Sequence, residues 1–133
     1  MGNFDYYEVE YLEAAEKEIS RFVRKKKFRK LPAQLSDFEE QLRSGHFPGT
    51  LIFKGTEQKP YDVYKVRLPN EDTNQGKSNG YRIFYVVVHI EKKVVLLAIY
   101  YKKEDNSLSD EYIYGLIDGL TQNHLPDDED LSN

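Results

Sequence analysis

The sequence contains no cysteine in its 133 residues. This absence excludes disulfide bonds, zinc sites built from thiolates and a catalytic cysteine. The three histidines, His46, His89 and His124, lie far apart in the sequence and lack the spacing of a metal site. We expect them to be incidental surface or turn residues, and the sequence predicts neither a metal nor a cofactor.

Long apolar runs are also missing. No stretch approaches the ~18 apolar residues that cross a bilayer, and the N-terminus lacks the basic and apolar regions of a signal peptide. We therefore expect a cytoplasmic protein without membrane contact. The length is typical of a single domain, which we assign to residues 1–125, and we expect the acidic residues 126–133 to form a disordered tail.

The net charge of −4 is distributed unevenly along the chain. Four acids at residues 127–130 supply this surplus, because the remaining 19 acids equal the 19 bases. Residues 20–30 hold seven bases and no acid, and residues 54–103 hold ten bases and five acids. Local basic patches are thus possible on an acidic protein, and a phosphate responds to charges within a Debye length of about 8 Å.

The hydrophobic periodicity predicts the element order β-α-α-β-β-β-α. The expected strands are 5–11, 61–68, 81–90 and 94–102, and the expected helices are 12–26, 31–44 and one that begins after Ser109. Residues 44–60 should form a loop with a short extended piece at Thr50–Phe53, and residues 69–80 a mobile loop. We expect an α+β fold, in which a helical hairpin and a C-terminal helix pack on one face of a four-stranded antiparallel sheet. The other face would then be open.

Basic side chains recur on two strands of this predicted sheet. Lys65 and Arg67 are two residues apart on a strand and project from the same face. If the next strand pairs antiparallel, Arg82 is their cross-strand neighbour and Lys77 approaches from the loop. Like charges cluster favourably around an anion, and guanidinium groups match phosphate oxygens. The pattern favours phosphate binding, but it is also compatible with a solvated sheet face.

Two further features are candidates for RNA contact. Lys26 and Lys27 belong to the basic run at residues 21–30, which could bind an RNA backbone or could be a solubilising helix end. Tyr81 lies close to the basic strands and could stack on a base, although a single tyrosine is more often structural.

Four segments of the sequence resemble the RelE/ParE superfamily of toxins. They are residues 64–68 (YKVRL), 76–85 (GKSNGYRIFY) and 96–103 (LLAIYYKK), together with 40–49 (EQLRSGHFPG). The GKSxGYR form is especially similar to the HigB/RelE-like branch of type II toxin-antitoxin systems. The resemblance extends over about residues 5–120.

The resemblance implies a metal-independent endoribonuclease that cleaves messenger RNA in the ribosomal A site. By this resemblance, Lys65 is the general base or phosphate anchor and Arg82 stabilises the transition state. Arg67 stands where such enzymes often have a second lysine, and it should stabilise charge because arginine does not readily deprotonate. Lys102 or Lys103 matches the basic residue that follows the last strand, with Lys103 the catalytic candidate and Lys102 a contact to RNA.

The same resemblance leaves two alternatives open. ParE-like relatives inhibit DNA gyrase by binding, and a silent relative would only bind an antitoxin. The expected partners are a cognate antitoxin with an acidic or amphipathic segment, the ribosome and messenger RNA.

Overall fold

The computed structural model describes residues 6–74, 76–104 and 107–121. The expected tail at 126–133 lies outside these residues. The strands are β1 (Glu8–Tyr11), β2 (Thr50–Phe53), β3 (Asp62–Leu68), β4 (Tyr81–Val88) and β5 (Lys93–Tyr101), and the helices are α1 (Glu13–Arg24), α2 (Leu31–Arg43) and α3 (Asp110–Thr121). None of the helices in this part of the chain has both the length and the apolar character needed to cross a membrane.

The strands form one five-stranded sheet in the order β1-β5-β4-β3-β2. The α+β class is therefore confirmed, and so is the extended piece at Thr50–Phe53, but the sheet has five strands instead of four and is not wholly antiparallel. Thr50–Phe53 is a full edge strand paired with β3, and β1 runs parallel to β5, with Val9 opposite Val94. Strand direction at β1 depends on a partner more than 80 positions away in the sequence, so no local pattern could reveal it.

Helices α1 and α2 pack together on one face of the sheet, which we call the hairpin face. Apolar residues at helical spacing bury their side chains there, with Phe22 of α1 and Leu31, Phe38 and Leu42 of α2 almost fully inaccessible. Helix α2 ends at Arg43, one residue before its predicted limit. Gly45 follows with a φ of 88°, which glycine adopts readily, and its N–H donates to the Leu42 carbonyl at 3.0 Å.

Helix α3 packs on the opposite face, which we call the α3 face. Its apolar side chains Ile113 and Ile117 contact the strand residues of a second core, among them Phe84 and Val86. The prediction that all helices lie on one face, with the other face open, is therefore wrong. Strand β4 is apolar on both sides, so an open face would have left Phe84 and Val86 in water.

Helix α3 begins after Ser109 as predicted, and Ser109 caps it. The Ser109 hydroxyl accepts a hydrogen bond from the Tyr112 N–H at 3.1 Å, and Asp110 and Glu111 occupy the first turn. Both features offset the unpaired N–H groups and the positive dipole end of a helix.

Candidate functional site

Lys65 and Arg67 project from the α3 face of β3, at the end of the sheet that α3 does not fill. Strands β3 and β4 pair antiparallel as predicted, with Arg67 opposite Arg82 and Lys65 opposite Phe84. The Lys65 ammonium lies 5.3 Å from the centre of the buried Phe84 ring and makes a cation–π interaction with it. The structure therefore brings Lys65, Arg67 and Arg82 together on two adjacent strands.

Arg82 differs from its neighbours in being only 5% exposed. Its Nη1 donates to the Lys77 carbonyl at 2.8 Å, and its Nη2 donates to the Ser78 carbonyl at 3.0 Å. Burial, followed by the charge of Arg67, lowers the pKa of the Arg82 guanidinium from its ordinary value. Two like charges thus face each other across the strand pair, an arrangement that an anion would stabilise.

A pocket of about 400 Å³ opens beside Lys65 and Arg67. It is lined by Pro48, Gly49, Thr50, Ile52, Lys65, Val66, Arg67 and Lys77. Every charged residue of this lining is a cation, and the Thr50 hydroxyl adds a neutral polar group. The pocket therefore has the charge and the donors that suit a phosphodiester.

Gly49 allows β2 to approach the strand that carries these cations. Its φ is +106°, and a Cβ atom there would lie 2.5 Å from the Lys65 carbonyl oxygen and 2.9 Å from Val66 Cβ. Only glycine fits this position without displacement of the backbone. Residue types alone gave no reason to include Gly49, Thr50 and Pro48 in the site, although the segment 40–49 belongs to the quoted resemblance.

Strand β3 also carries one acid, Asp62, but this carboxylate lies at the far end of the strand. It accepts hydrogen bonds from the Gly55 N–H at 2.8 Å and from His89 Nε2 at 3.1 Å. The other ring nitrogen of His89 lies 3.0 Å from the Tyr7 hydroxyl. His89 is thus a bonded link between two buried side chains, and our expectation of an incidental residue missed this role.

Lys102 and Lys103 follow β5 in a short 3-10 turn and are both exposed. The Lys102 N–H donates to the Gly80 carbonyl at 2.8 Å, which places this turn at the same end of the sheet as Arg82. Neither lysine lines the pocket.

Lys26 and Lys27 lie at the end of α1, on the hairpin side of the sheet. Both are exposed, and neither lines the pocket. The Lys26 ammonium is 3.1 Å from Glu104, which also accepts from Arg21 at 2.7 Å. The charge of Lys26 is therefore partly neutralised within the protein itself, which makes it a weaker candidate for RNA contact than Lys77.

Tyr81 is the one proposed RNA contact that the structure contradicts. Its ring is fully buried on the hairpin face, 5.6 Å from Phe22 and 5.5 Å from Tyr101 between ring centres. Successive side chains of a strand point to opposite faces. Arg82 lies on the α3 face, and the adjacent Tyr81 therefore points away from the site. Tyr81 therefore cannot stack on a base without unfolding the core.

Comparison with known proteins shows similarity at the level of structure. The archaeal RelE of a RelE-RelB complex from Pyrococcus horikoshii OT3 is 20% identical, with a TM-score of 0.48 over 73% of this chain and 96% of that one. The isolated Escherichia coli RelE toxin is 22% identical, with a TM-score of 0.43 over 86% of this chain and 99% of that one. No family model and no curated protein sequence matches the chain.

Proposed function

We propose that this chain is the toxin of a type II toxin-antitoxin system, of the HigB/RelE-like kind, and that it cleaves messenger RNA at the ribosome in the cytoplasm. The observation that supports this proposal is the pocket between β2 and β3, in which the charged residues Lys65, Arg67 and Lys77 are all cations. The sequence motifs that carry these residues are those that resemble the RelE/ParE superfamily.

The chemistry that suits this pocket is an attack by the ribose 2′-hydroxyl on the adjacent phosphate. The bond between O2′ and phosphorus forms, the bond to O5′ breaks, and the products are a 2′,3′-cyclic phosphate and a 5′-hydroxyl. One proton must leave O2′ and one must reach O5′. Since the nucleophile belongs to the substrate, the protein has only to position the RNA, transfer protons and stabilise the extra negative charge.

The two strand cations have different proposed roles. Lys65 is the general base or the phosphate anchor, because it lies in the pocket above Phe84 and a lysine can exchange a proton. Arg67 is exposed beside it and stays charged, so it stabilises the phosphorane. Lys102 contacts the RNA next to the pocket, Lys103 remains the catalytic candidate that the resemblance implies, and we assign no proton donor.

Salt dependence of RNA binding tests the pocket directly. We expect Lys65→Met and Arg67→Met each to lower the slope of log K against log salt by about 0.7 for a single-stranded RNA, because one phosphate contact is lost. Lys17→Met is the matched control, since this lysine is exposed on α1 and pairs with Glu13. An unchanged slope in both site variants would show that the pocket does not bind RNA.

Cleavage is tested on translated messages by primer extension. We expect cuts within codons and an arrest of translation when the protein is induced, and loss of both with Lys65→Met. Relaxed DNA and a DNA-damage response with intact messages would instead support gyrase inhibition.

We extend the proposal to a cognate antitoxin as partner. The cationic pocket is accessible on the protein surface, and an acidic segment that folds upon it would neutralise the charge. The affinity of the antitoxin for this chain should fall as the salt concentration rises, and binding titrations at several salt concentrations would measure this fall.

A further inference from the structure

We propose that Arg82 is a positioning residue: its guanidinium holds the turn at Lys77–Asn79 and so directs Lys77 into the pocket. The part of this inference that concerns cleavage rests on the proposed function. The part that concerns the turn rests on the geometry alone.

The hydrogen bonds of Arg82 are all directed at backbone carbonyls around the turn. Nη1 donates to Lys77 at 2.8 Å and to Tyr81 at 3.4 Å, and Nη2 donates to Ser78 at 3.0 Å. Each terminal nitrogen thus donates at least one hydrogen bond to a carbonyl around the turn, and the residue is 5% exposed. A guanidinium in this position has little surface left for a ligand, whereas Arg67 on the facing strand is exposed.

Apart from the bonds of Arg82, one short hydrogen bond reaches the end of the turn, from the Lys102 N–H to the Gly80 carbonyl at 2.8 Å. None of the residues Lys77–Asn79 is buried, and no side chain caps this 3-10 segment. Its backbone hydrogen bonds are long, at 3.2 Å from Asn79 N to Gly76 O and 3.5 Å from Gly80 N to Lys77 O. Hydrogen bonds from a charged donor are stronger than neutral ones, so those of Arg82 contribute most to the order of this turn.

Lys77 is the residue through which this order reaches the pocket. It belongs to the turn and lines the pocket together with Lys65 and Arg67. An ordered turn keeps the third cation near the bound phosphate with a smaller loss of backbone entropy at each binding event. Two separate carbonyls require the forked geometry of arginine, so lysine at position 82 should not replace it.

Limited proteolysis tests the turn without RNA. Trypsin cuts after Lys77 when the turn opens, and we expect Arg82→Met to accelerate this cut roughly tenfold, which corresponds to the loss of about one charged hydrogen bond. Arg82→Lys should behave similarly. Arg67→Met, on the facing strand with the same change of charge, should stay near the parent rate.

Hydrogen exchange separates local opening from unfolding. We expect faster exchange at the amides of Asn79 and Gly80 in Arg82→Met, with unchanged protection in the buried strand β4. If Arg82→Met loses protection throughout, Arg82→Lys is measured in its place. An unchanged rate of cutting after Lys77 in a folded variant would overturn the proposal.

A double-mutant cycle with Lys77→Met decides the role in cleavage. If Arg82 acts through Lys77, the double variant should be as active as the less active of the two single variants. Losses that multiply would mean that Arg82 acts independently of Lys77, and the proposal would be wrong. If the parent chain cleaves no RNA, the proposed function fails, while the proteolysis result still decides whether Arg82 holds the turn.

Discussion

Replacement of Gly49 by alanine should disrupt the site without removing any charge. The new Cβ would lie 2.5 Å from the Lys65 carbonyl oxygen, which is part of β3 and cannot rotate away. The φ of +106° adds backbone strain of ~1–3 kcal/mol for a non-glycine residue, and overpacking against the strand adds ~1–3 kcal/mol. We expect a loss of about 3 kcal/mol in unfolding free energy, or roughly 10 °C in melting temperature.

Thermal unfolding followed by circular dichroism measures this loss. Gly115→Ala is the matched control, because an added Cβ there meets nothing within 4 Å and alanine favours a helix by ~0.5–1 kcal/mol. RNA cleavage by Gly49→Ala should also fall by about tenfold or more at a temperature where the variant is folded, since β2 and Lys65 move apart. A melting temperature within about 2 °C of the parent would refute the close packing of β2 on β3.

Two further predictions concern ionised side chains away from the pocket. The hydrogen bond from Arg21, opposed by partial burial, holds the pKa of the Glu104 carboxyl below its ordinary value. Glu104→Gln should therefore lower the unfolding free energy by about 1 kcal/mol at neutral pH. The difference in unfolding free energy between the parent and the variant should narrow below about pH 4.3, as the parent carboxyl becomes protonated. A difference that stays constant with pH would contradict the prediction. Asp62→Asn should cost about 1–3 kcal/mol in urea unfolding, because Gly55 and His89 bond to different carboxylate oxygens and the amide replaces one of these acceptors by an NH2 group. An unchanged midpoint would show that these bonds do not stabilise the fold.

The elements could be predicted largely from local pattern. Helical spacing of Leu31, Leu35, Phe38 and Leu42 was sufficient for α2, and Gly45 marked its end. The alternation of β3 was sufficient to place Lys65 and Arg67 on the same face. These features depend on period and backbone conformation, which a few neighbouring residues determine.

The environment of each site residue depended on contacts between distant segments. Arg82 was expected on an open surface, yet it is buried because the turn at Lys77–Asn79 folds over it. Gly49 lies at the site because β2 pairs with β3. A strand of only four residues has too short a pattern for this pairing to be predicted from the sequence. The proximity of Tyr81 to basic residues in sequence was misleading, since adjacent residues of a strand lie on opposite faces.

The sequence by itself determined the α+β class, the limits of most helices and strands, and the shared face of Lys65 and Arg67. The tertiary structure alone decided that β1 runs parallel to β5, that α3 covers the face opposite the helical hairpin, and that Arg82 binds carbonyls. Local backbone preferences act over a few residues, whereas strand direction, helix placement and burial follow from the need to cover the apolar side chains of both faces of the sheet at once.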